Sequence, residues 1–300
     1  MVARPRRSVL YMPGSNAKAI AKARTLPADA IILDLEDSVA PSRKPAARQL
    51  VRDFLDAHAG VRRSELWVRI AALDQTDALL DLIAILGGRP DGIIQPKTDG
   101  PDDVRRLSHY LDALEVRENI VLGHTRIIPV ATETASAPFR LGDYAQAGLS
   151  RLAGLTWGAE DLATVLGAST NKGADGDWDF PYQVVRAACL FAARAAAVQP
   201  LDTLFADYRD PEGLRRSCDL ARRQGFTGRL AIHPVQIEII NACFLPSEAE
   251  VAHARRVVAA FAAAPTLGAL GLDGKMLDIP HLQQARQLLA RLGDDSSQLT

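Results

Sequence analysis

The stretch Ala30-Ile31-Ile32-Leu33-Asp34-Leu35-Glu36-Asp37 joins a short apolar run to three carboxylates. A run this short and this rich in β-branched residues is typical of a strand that is buried on both faces. Carboxylates clustered at the end of a buried strand are costly unless water, a cation or a basic ligand receives them. The stretch therefore predicts a buried strand that opens into a functional site.

The same pattern, an apolar run followed by polar or charged residues, recurs along the chain. The runs predicted to be strands are residues 8–11, 30–33, 66–68, 92–94, 126–130, 152–155, 201–205 and 230–232. Amphipathic stretches between them predict helices, for example residues 16–26, 43–58, 74–86, 102–115 and 211–225. Strand–helix units with polar residues at the strands' carboxyl ends predict an α/β protein with a (β/α)8 TIM barrel. A doubly wound open sheet is the competing fold, but it rarely needs so many units and would place ligands at one switch point.

The barrel is expected to occupy residues 1–245, followed by a C-terminal helical extension over residues 246–300. Ser247, with acidic residues in the next turn, predicts the start of a helix over 247–264. Residues 273–275 predict a turn, and residues 279–292 a final helix. The extension is expected either to pack on its own barrel or to reach over a neighbouring subunit's active site. The polar, Gly-rich segment 167–179 is either a functional cover or a disordered insertion.

Composition indicates the class of protein. Its 300 residues, 48% of them hydrophobic, can bury one large core. A formal charge of −1 gives no general attraction to nucleic acid or to an acidic membrane. No apolar stretch of transmembrane length is present, and the first strand-forming residues follow a short basic cluster without a targeting segment. The 3 cysteines are odd in number and widely spaced, which is typical of buried thiols in a reducing compartment. We expect a cytoplasmic protein.

The sequence lacks the motifs of several familiar chemistries. It has no G-x-G-x-x-G after the first strand, no H-E-x-x-H and no G-x-S-x-G. The remaining candidate chemistry uses carboxylates, arginine and lysine. Glu133 and Asp161 follow consecutive strands, and a site built from a few carboxylates favours a hard cation such as Mg²⁺. Glu160 is a local rival of Asp161, and Asp161 is also placed to cap a helix N-terminus. Spacing alone leaves metal binding and a structural role equally open.

A set of segments in a fixed order spans nearly the whole chain and carries a family resemblance. They are Arg7-Ser8-Val9-Leu10-Tyr11-Met12-Pro13-Gly14, Leu33-Asp34-Leu35-Glu36-Asp37-Ser38-Val39, Val68-Arg69-Ile70, Pro96-Lys97, Glu133-Thr134-Ala135, Gly158-Ala159-Glu160-Asp161-Leu162-Ala163, Ala231-Ile232-His233-Pro234-Val235-Gln236-Ile237 and Gly274-Lys275-Met276-Leu277-Asp278-Ile279-Pro280. These segments resemble the citrate lyase β-subunit-like enzymes, the CoA-ester lyase branch of the HpcH/HpaI aldolase superfamily. The acidic cluster at 34–37 separates this branch from the CoA-independent aldolases, which usually carry a Glu-His motif there.

The resemblance implies a (β/α)8 barrel enzyme that assembles as a homotrimer or hexamer and uses Mg²⁺. The implied reaction is cleavage of a malyl-, citramalyl- or citryl-type 3-hydroxyacyl-CoA thioester to a 2-oxo acid and an acyl-CoA, or the reverse condensation. One alternative is the lyase subunit of a citrate lyase complex, which acts on a carrier-protein thioester with protein partners. Another is a CoA-thioester-binding protein without turnover.

The resemblance also assigns roles to residues. It implies that Glu133 and Asp161 hold the magnesium ion and that Arg69 polarises the reacting oxygens. Glu36 and Asp37 are implied to orient metal-bound waters or the arginine. An ion pair to Asp34 or Glu36 across adjacent strand ends is the other explanation of Arg69, and it is compatible with that role.

Further roles concern CoA and the extension. The implied CoA-binding edge consists of Met12, Pro13, Gly14 and Lys18, although Lys18 also suits the solvated face of a helix. Asp278 matches a carboxylate that enters the site from an adjacent subunit, where we expect it to protonate the enolate carbon. A helix N-cap is the other explanation of Asp278. Lys97 is expected to be a structural partner of the acidic cluster, since acidic neighbours keep an amine protonated.

Overall fold

The computed structural model describes residues 6–23, 25–60, 62–174 and 176–290. These residues divide into two compact units, 6–244 and 245–290. The boundary between the units lies next to residue 245, where the sequence predicts the barrel to end. Within the described ranges, no helix is both long and apolar enough to cross a membrane.

The first unit is an eight-stranded parallel barrel. Its strands are β1 (Ser8–Pro13), β2 (Ala30–Asp34), β3 (Glu65–Arg69), β4 (Gly92–Gln95), β5 (Arg126–Pro129), β6 (Gly154–Leu155), β7 (Gln199–Asp202) and β8 (Gly228–Ala231). They are hydrogen-bonded in the order β5-β4-β3-β2-β1-β8-β7-β6. Parallel bridges from Ile127 to Leu152 and from Val130 to Thr156 connect the two ends of this sheet. The predicted (β/α)8 fold is confirmed.

Helices surround the barrel. They are α1 (Ala17–Ala23), α2 (Lys44–Asp56), α3 (Thr76–Ile85), α4 (Pro101–Arg117), α5 (Ala159–Leu166), α6 (Phe180–Ala195), α7 (Pro211–Gln224) and α8 (Gln236–Cys243). Short 3-10 segments cover Pro41–Arg43, Leu86–Gly88 and Ala137–Gln146. The last of these follows β5, so that strand is followed by a 3-10 segment instead of an α-helix. The predicted strand over 201–205 begins and ends earlier, because residues 203–205 extend past the point where the neighbouring strands pair.

Two apolar layers fill the unit. The inner layer lies inside the barrel and consists of Val9, Ala30, Ile32, Trp67, Ile94, Ile128, Val130, Leu201 and Leu230. The outer layer, which includes Leu10, Met12, Ile31 and Leu33, packs between strands and helices. Side chains on a strand alternate between faces, so residues two positions beyond an inner residue point inward as well. This alternation directs Asp34 and Arg69 into the mouth of the barrel.

The second unit is a helix, a hairpin and a helix. α9 (Glu248–Ala263) begins at a capping box, in which Ser247 and Glu250 bond each other's backbone. β9 (Ala269–Leu272) and β10 (Lys275–Asp278) pair antiparallel, and α10 spans Ile279–Ala290. The predicted helix start at Ser247 is confirmed, whereas the predicted turn over 273–275 covers only Asp273 and Gly274, since Lys275 already begins β10. The predicted end of the last helix at residue 292 lies outside the described residues.

Gly92 leaves room for the ring of Trp67, the largest side chain in the barrel interior. Trp67 is completely buried, and a Cβ built on Gly92 of the neighbouring strand would overlap the Trp67 ring. Gly92→Ala should therefore lower the free energy of unfolding by about 1–3 kcal/mol, the usual cost of overpacking a core. Urea unfolding followed by circular dichroism measures the difference.

Gly60→Ala is the matched control, because a Cβ at Gly60 would have no atom within 4 Å. We expect that variant to be as stable as the unchanged protein. Equal stability of the two variants would mean that the Trp67 ring does not require a glycine at position 92.

Candidate active site

A buried ion pair stands at the barrel mouth, where β2 and β3 end side by side. Arg69 Nε and Nη2 each donate to a carboxylate oxygen of Asp34 at 2.7 Å. Asp34 is 1% exposed, and its carboxylate also accepts the backbone N–H of Glu36 at 3.0 Å. Burial alone would raise the pKa of Asp34, but the hydrogen bonds and charge of Arg69 lower it. A two-pronged pair of this kind fixes the plane of the guanidinium.

Arg69 is held from two more directions. Its Nη1 lies 2.9 Å from Glu36 Oε2, and its guanidinium carbon lies 4.8 Å from the centroid of the Tyr11 ring. Contact between a guanidinium and an aromatic face is favourable. Tyr11 is an inward-facing residue of β1 and lines the same cavity as Arg69. The arginine therefore presents a fixed positive charge to that cavity.

Lys97 contacts four carboxylates. Its Nζ lies 2.5 Å from Glu36 Oε1 and 3.6 Å from both Asp37 Oδ2 and Asp161 Oδ1. Its backbone N–H donates to Glu133 Oε2 at 2.7 Å. The residue has a φ of 49°, in the left-handed region that non-glycine residues seldom adopt. Lys97 thus pairs with the acidic cluster, as the sequence predicts.

Glu133 and Asp161 line one cavity of about 290 Å³. Glu133 follows β5 and is 5% exposed, whereas Asp161 sits in the first turn of α5 and its side chain is 35% exposed. Burial, together with the charges of Asp161 and Glu36, raises the pKa of Glu133 to about 8. Burial likewise raises the pKa of Glu36 to about 7, against the opposing effects of Arg69 and Lys97. Near neutral pH, the site carries more carboxyl groups than its own cations balance.

The surroundings of Glu133 suit a divalent cation. A Cβ on Gly158 would lie 2.7 Å from Glu133 Cγ and 2.9 Å from Oε1, so the carboxylate occupies space that only glycine leaves open. Two carboxylates offer hard oxygen ligands, as Mg²⁺ requires. Among the residues that the structure describes, no three His, Cys, Asp or Glu side chains are arranged to hold a metal. A cation on Glu133 and Asp161 would therefore depend on water or substrate oxygens for its remaining ligands, which is usual for magnesium.

One part of the cavity wall is apolar, and the sequence does not predict it. Val130, Trp157, Leu204, Leu230 and Ile232 form this wall. Trp157 is fixed because its Nε1 donates to the buried Asp202 at 2.8 Å. These residues look like ordinary core positions in the sequence. Their only signal is that each stands at or just beyond the carboxyl end of a strand.

The predicted CoA-binding residues differ in whether they line the cavity, are exposed elsewhere or are buried. Pro13 lines the cavity, and Gly14 donates its backbone N–H to Asp34 O at 2.8 Å. Lys18 is exposed on α1. The Met12 side chain is 4% exposed and packs in the outer apolar layer, which leaves only its backbone for contact with a ligand. Strand alternation explains this, since Tyr11 takes the inward position.

The remaining predicted residues are also located. Glu36 is buried between Arg69 and Lys97, and Asp37 is the more exposed of the pair. Glu160 lines the cavity with Asp161, but it is Asp161 whose carboxylate lies near Lys97. Asp278 ends β10 of the second unit, immediately before α10. Its Oδ1 lies 2.5 Å from His281 Nδ1, and its side chain is 43% exposed.

An α/β barrel with carboxylates, an arginine and a lysine at its mouth is typical of an α/β-barrel enzyme, whose active site lies at the carboxyl ends of the strands. Sequence comparison identifies the family. Residues 7–234 match the HpcH/HpaI aldolase/citrate lyase family. The chain is 36% identical over 291 residues to a (3S)-malyl-CoA thioesterase from Cereibacter sphaeroides, covering 96% of this chain and 95% of the other. It is also 36% identical over 290 residues to citrate lyase subunit beta from Escherichia coli, covering 96% and 93% respectively.

Another relative and a solved structure agree with this match. The mitochondrial citramalyl-CoA lyase of Mus musculus is 33% identical over 297 residues, covering 95% of this chain and 85% of the other. The crystal structure of CitE from Mycobacterium tuberculosis in complex with magnesium, acetoacetate and coenzyme A superposes with a TM-score of 0.79 at 33% identity, covering 96% and 98%. The chain belongs to the HpcH/HpaI aldolase/citrate lyase family and is a carbon–carbon lyase.

In EDTA, which keeps metal ions away from the site, the raised pKa of Glu133 should make the stability of the protein depend on pH. The folded protein keeps this carboxyl protonated up to about pH 8, whereas its ordinary value is 4.5. Its contribution to stability is therefore complete below pH 4.5 and is lost as the pH rises through about 8. Glu133→Gln, which stays neutral, should flatten the fall in melting temperature between pH 5.5 and 8.5. Across this pH range, the substitution should change the pH-dependent loss in the free energy of unfolding by on the order of a few kcal/mol.

Glu238→Gln, at an exposed position of α8, serves as the control and should keep the original pH profile. Thermal unfolding at several pH values gives the comparison. Parallel profiles for the unchanged protein and Glu133→Gln would show that Glu133 is ionised throughout that range.

Proposed function

We propose that the chain is a Mg²⁺-dependent lyase that cleaves a 3-hydroxyacyl-CoA thioester to a 2-oxo acid and an acyl-CoA, or joins them in reverse. The observation that carries this proposal is the opening of Glu133, Asp161 and Arg69 onto one cavity. The named relatives support it, since they include a malyl-CoA thioesterase and a citramalyl-CoA lyase. The CitE complex with magnesium and coenzyme A supports both ligands.

Glu133 and Asp161 would hold the magnesium ion in this proposal. Bound there, the ion supplies Lewis-acid stabilisation of charge that develops on the reacting oxygens. Glu36 and Asp37 orient water near the ion, while Lys97 keeps these carboxylates in place. Arg69 binds the reacting oxygens of the substrate with donors that its contacts with Asp34 leave free, and its fixed plane avoids reorganisation during the reaction.

Proton transfers complete the reaction. A base removes the proton from the substrate's 3-hydroxyl, the adjacent C–C bond breaks, and the bonding pair remains on the acyl fragment as a thioester enolate. Asp278, supplied by the C-terminal extension of an adjacent subunit in a homotrimer or hexamer, protonates the enolate carbon. In the synthetic direction it removes that proton. The half-exposed carboxylate of Asp278, beside His281, supports this role.

The CoA part of the substrate would follow the end of β1. Pro13 lines the cavity, and the backbone of Met12 and Gly14 continues from it. Lys18 is exposed on the next helix, where its ammonium suits a CoA phosphate. A cytoplasmic location belongs to the same proposal and is supported by Cys189, Cys218 and Cys243, all free thiols.

Two other activities have specific support. The citrate lyase subunit beta of Escherichia coli is as similar as the malyl-CoA thioesterase, so action on a carrier-protein thioester within a complex is one. Hydrolysis of the thioester bond is the other, because a relative is named for it. Thioester binding without turnover is opposed by the complete set of Arg69, Glu133 and Asp161.

Product analysis separates these activities. Purified protein is incubated with malyl-CoA, citramalyl-CoA and citryl-CoA in MgCl₂ or in EDTA, and the products are separated by chromatography. We expect a 2-oxo acid and an acyl-CoA in equal amounts, only with Mg²⁺, and loss of both in Asp161→Asn. Free CoA with an intact hydroxy diacid would indicate hydrolysis. Binding of CoA thioesters without any product would contradict an enzyme of this type acting alone.

Gly158 provides a separate test of the metal site. Gly158→Ala places a Cβ against the Glu133 carboxylate and should weaken Mg²⁺ binding about 10–100-fold, the usual effect of disturbing a ligand's surroundings. Isothermal titration of Mg²⁺ into the metal-free protein measures this. Gly142→Ala is the control, because its Cβ would meet no atom within 4 Å. Equal affinities for the two variants would argue against Glu133 as a ligand.

A further inference from the structure

A groove lies on the outside of the barrel between α6 and α7. α6 packs mainly on the Ala137–Gln146 segment and α7 mainly on α8, so the two helices leave a space between them. This α6–α7 groove has a volume of about 1000 Å³, a size that suits a small molecule. No described residue lines both the groove and the cavity at the barrel mouth. The side chains that line the groove include Lys172, Trp178, Arg186, Arg216, Leu220 and Arg223.

The groove is positively charged, although the chain as a whole has a formal charge of −1. Five basic side chains of the described residues line it, against three aspartates. Arg216 and Arg223 lie two turns apart on one face of α7. Both are exposed, and within the described ranges neither pairs with an acidic side chain. One of the aspartates, Asp210, is already engaged as the N-cap of α7, where it accepts the backbone N–H of Gly213 at 2.8 Å.

Buried positive charge stands behind the groove. Arg186 is 9% exposed, and its Nε and Nη2 donate to the two carboxylate oxygens of Asp202 at 3.0 and 2.9 Å. Arg229 is 1% exposed and donates to the same carboxylate at 2.7 Å. Two buried guanidinium groups therefore share one carboxylate. Because buried charge is costly unless it is paired, an anion in the groove beside Arg186 would be stabilised.

Asp202 also connects the groove to the catalytic cavity. Its Oδ1 accepts Trp157 Nε1 at 2.8 Å and the backbone N–H of Thr203 at 3.0 Å, and both of these residues line the cavity. The aromatic rings provide a second connection. The centroids of Trp157 and Trp178 lie 5.1 Å apart, and Lys172 Nζ lies 4.7 Å from the centroid of the Trp178 ring. A ligand in the groove is thus one or two contacts away from the wall of the cavity.

We propose that the α6–α7 groove binds a compact phosphorylated anion, and that its occupancy is coupled to the catalytic cavity through Arg186 and Asp202. Arg216 and Arg223 contact the phosphate oxygens, since the planar guanidinium group matches phosphate geometry. The two positions are about 10 Å apart along α7, so a diphosphate or a longer chain reaches both better than a single phosphate. Coupling between two sites is reciprocal, so ligands of the cavity also change affinity at the groove.

Binding of inorganic pyrophosphate tests the site. The anion is titrated calorimetrically into the metal-free protein in EDTA and about 150 mM KCl, which screens diffuse attraction to surface charge. We expect one equivalent to bind, and the double variant Arg216→Gln/Arg223→Gln to bind it about tenfold more weakly or less. Arg63→Gln/Arg286→Gln is the control, because it removes the same charge at exposed positions outside the groove. Equal affinities in the two double variants would overturn the proposal.

Coenzyme A distinguishes a separate site from a part of the substrate site. The pyrophosphate titration is repeated at increasing concentrations of CoA. We expect pyrophosphate to stay bound at one equivalent, with an affinity that changes to a limiting value as CoA saturates its own site. An apparent dissociation constant that rises without limit in proportion to CoA would mean that both ligands compete for one site. That result would overturn the proposal.

Tryptophan fluorescence tests the coupling without any assay of turnover. Trp178→Phe removes the tryptophan in the groove and leaves Trp67 and Trp157. Saturating pyrophosphate should still change the fluorescence of this variant, because Trp157 keeps its hydrogen bond to Asp202. Adding Arg186→Gln should abolish the change at saturation. No change in Trp178→Phe, or the same change after Arg186→Gln, would contradict the proposed coupling.

A milder substitution covers the case in which Arg186→Gln does not fold. Arg186→Lys keeps the charge but not the two-pronged contact with Asp202, so in the Trp178→Phe background it should reduce the fluorescence change at saturating pyrophosphate. Circular dichroism verifies that each variant is folded. A folded Arg186→Lys variant with an undiminished change would also contradict the coupling.

Discussion

The pairing of Arg69 with Asp34 is the interaction on which the rest of the site depends. The two residues are direct partners in the register of β3 and β2, so the barrel itself brings them together. Both side chains point inward, and the Asp34 carboxylate is almost fully removed from solvent while 14% of the Arg69 side chain stays exposed. Removing one member of such a pair leaves an unpaired buried charge, which typically costs about 3–5 kcal/mol. The fold therefore fixes Arg69, and Arg69 in turn fixes the side of the cavity on which negative charge is tolerated.

Lys97 extends this arrangement to the other strand ends. Through its ammonium and its backbone N–H it connects the acidic cluster after β2 with Glu133 after β5 and Asp161 on α5. The connection requires left-handed backbone at Lys97, an uncommon conformation that the surrounding contacts must stabilise. Even so, Glu36 and Glu133 keep raised pKa values, because burial disfavours their charged forms more than the neighbouring cations favour them. A divalent cation would favour the charged forms of both carboxyl groups.

Much of this organisation follows from short sequence patterns. The run 30–37 predicts both a buried strand and the charged mouth, because the sequence passes from apolar to acidic residues within a few positions. The apolar wall could not be predicted in the same way, since Leu204 and Leu230 differ in no local property from core residues. The inward position of Tyr11, and hence the outward position of Met12, depends on strand alternation that a resemblance between motifs does not show. The conformation of Lys97 likewise depends on its contacts with Glu36, Glu133 and Asp161, all of which are at least 36 positions away in the chain.

We propose that Glu133 and Asp161 share one divalent cation. A crystal of the protein soaked in Mn²⁺, measured at a wavelength where manganese scatters anomalously, tests it directly. We expect one anomalous peak at about 2.1–2.2 Å from an oxygen of each carboxylate, close to the spacing of magnesium ligands. Lys97 should then remain beside Glu36. A peak bound to only one of the two carboxylates, or no peak between them at saturating Mn²⁺, would contradict a shared cation.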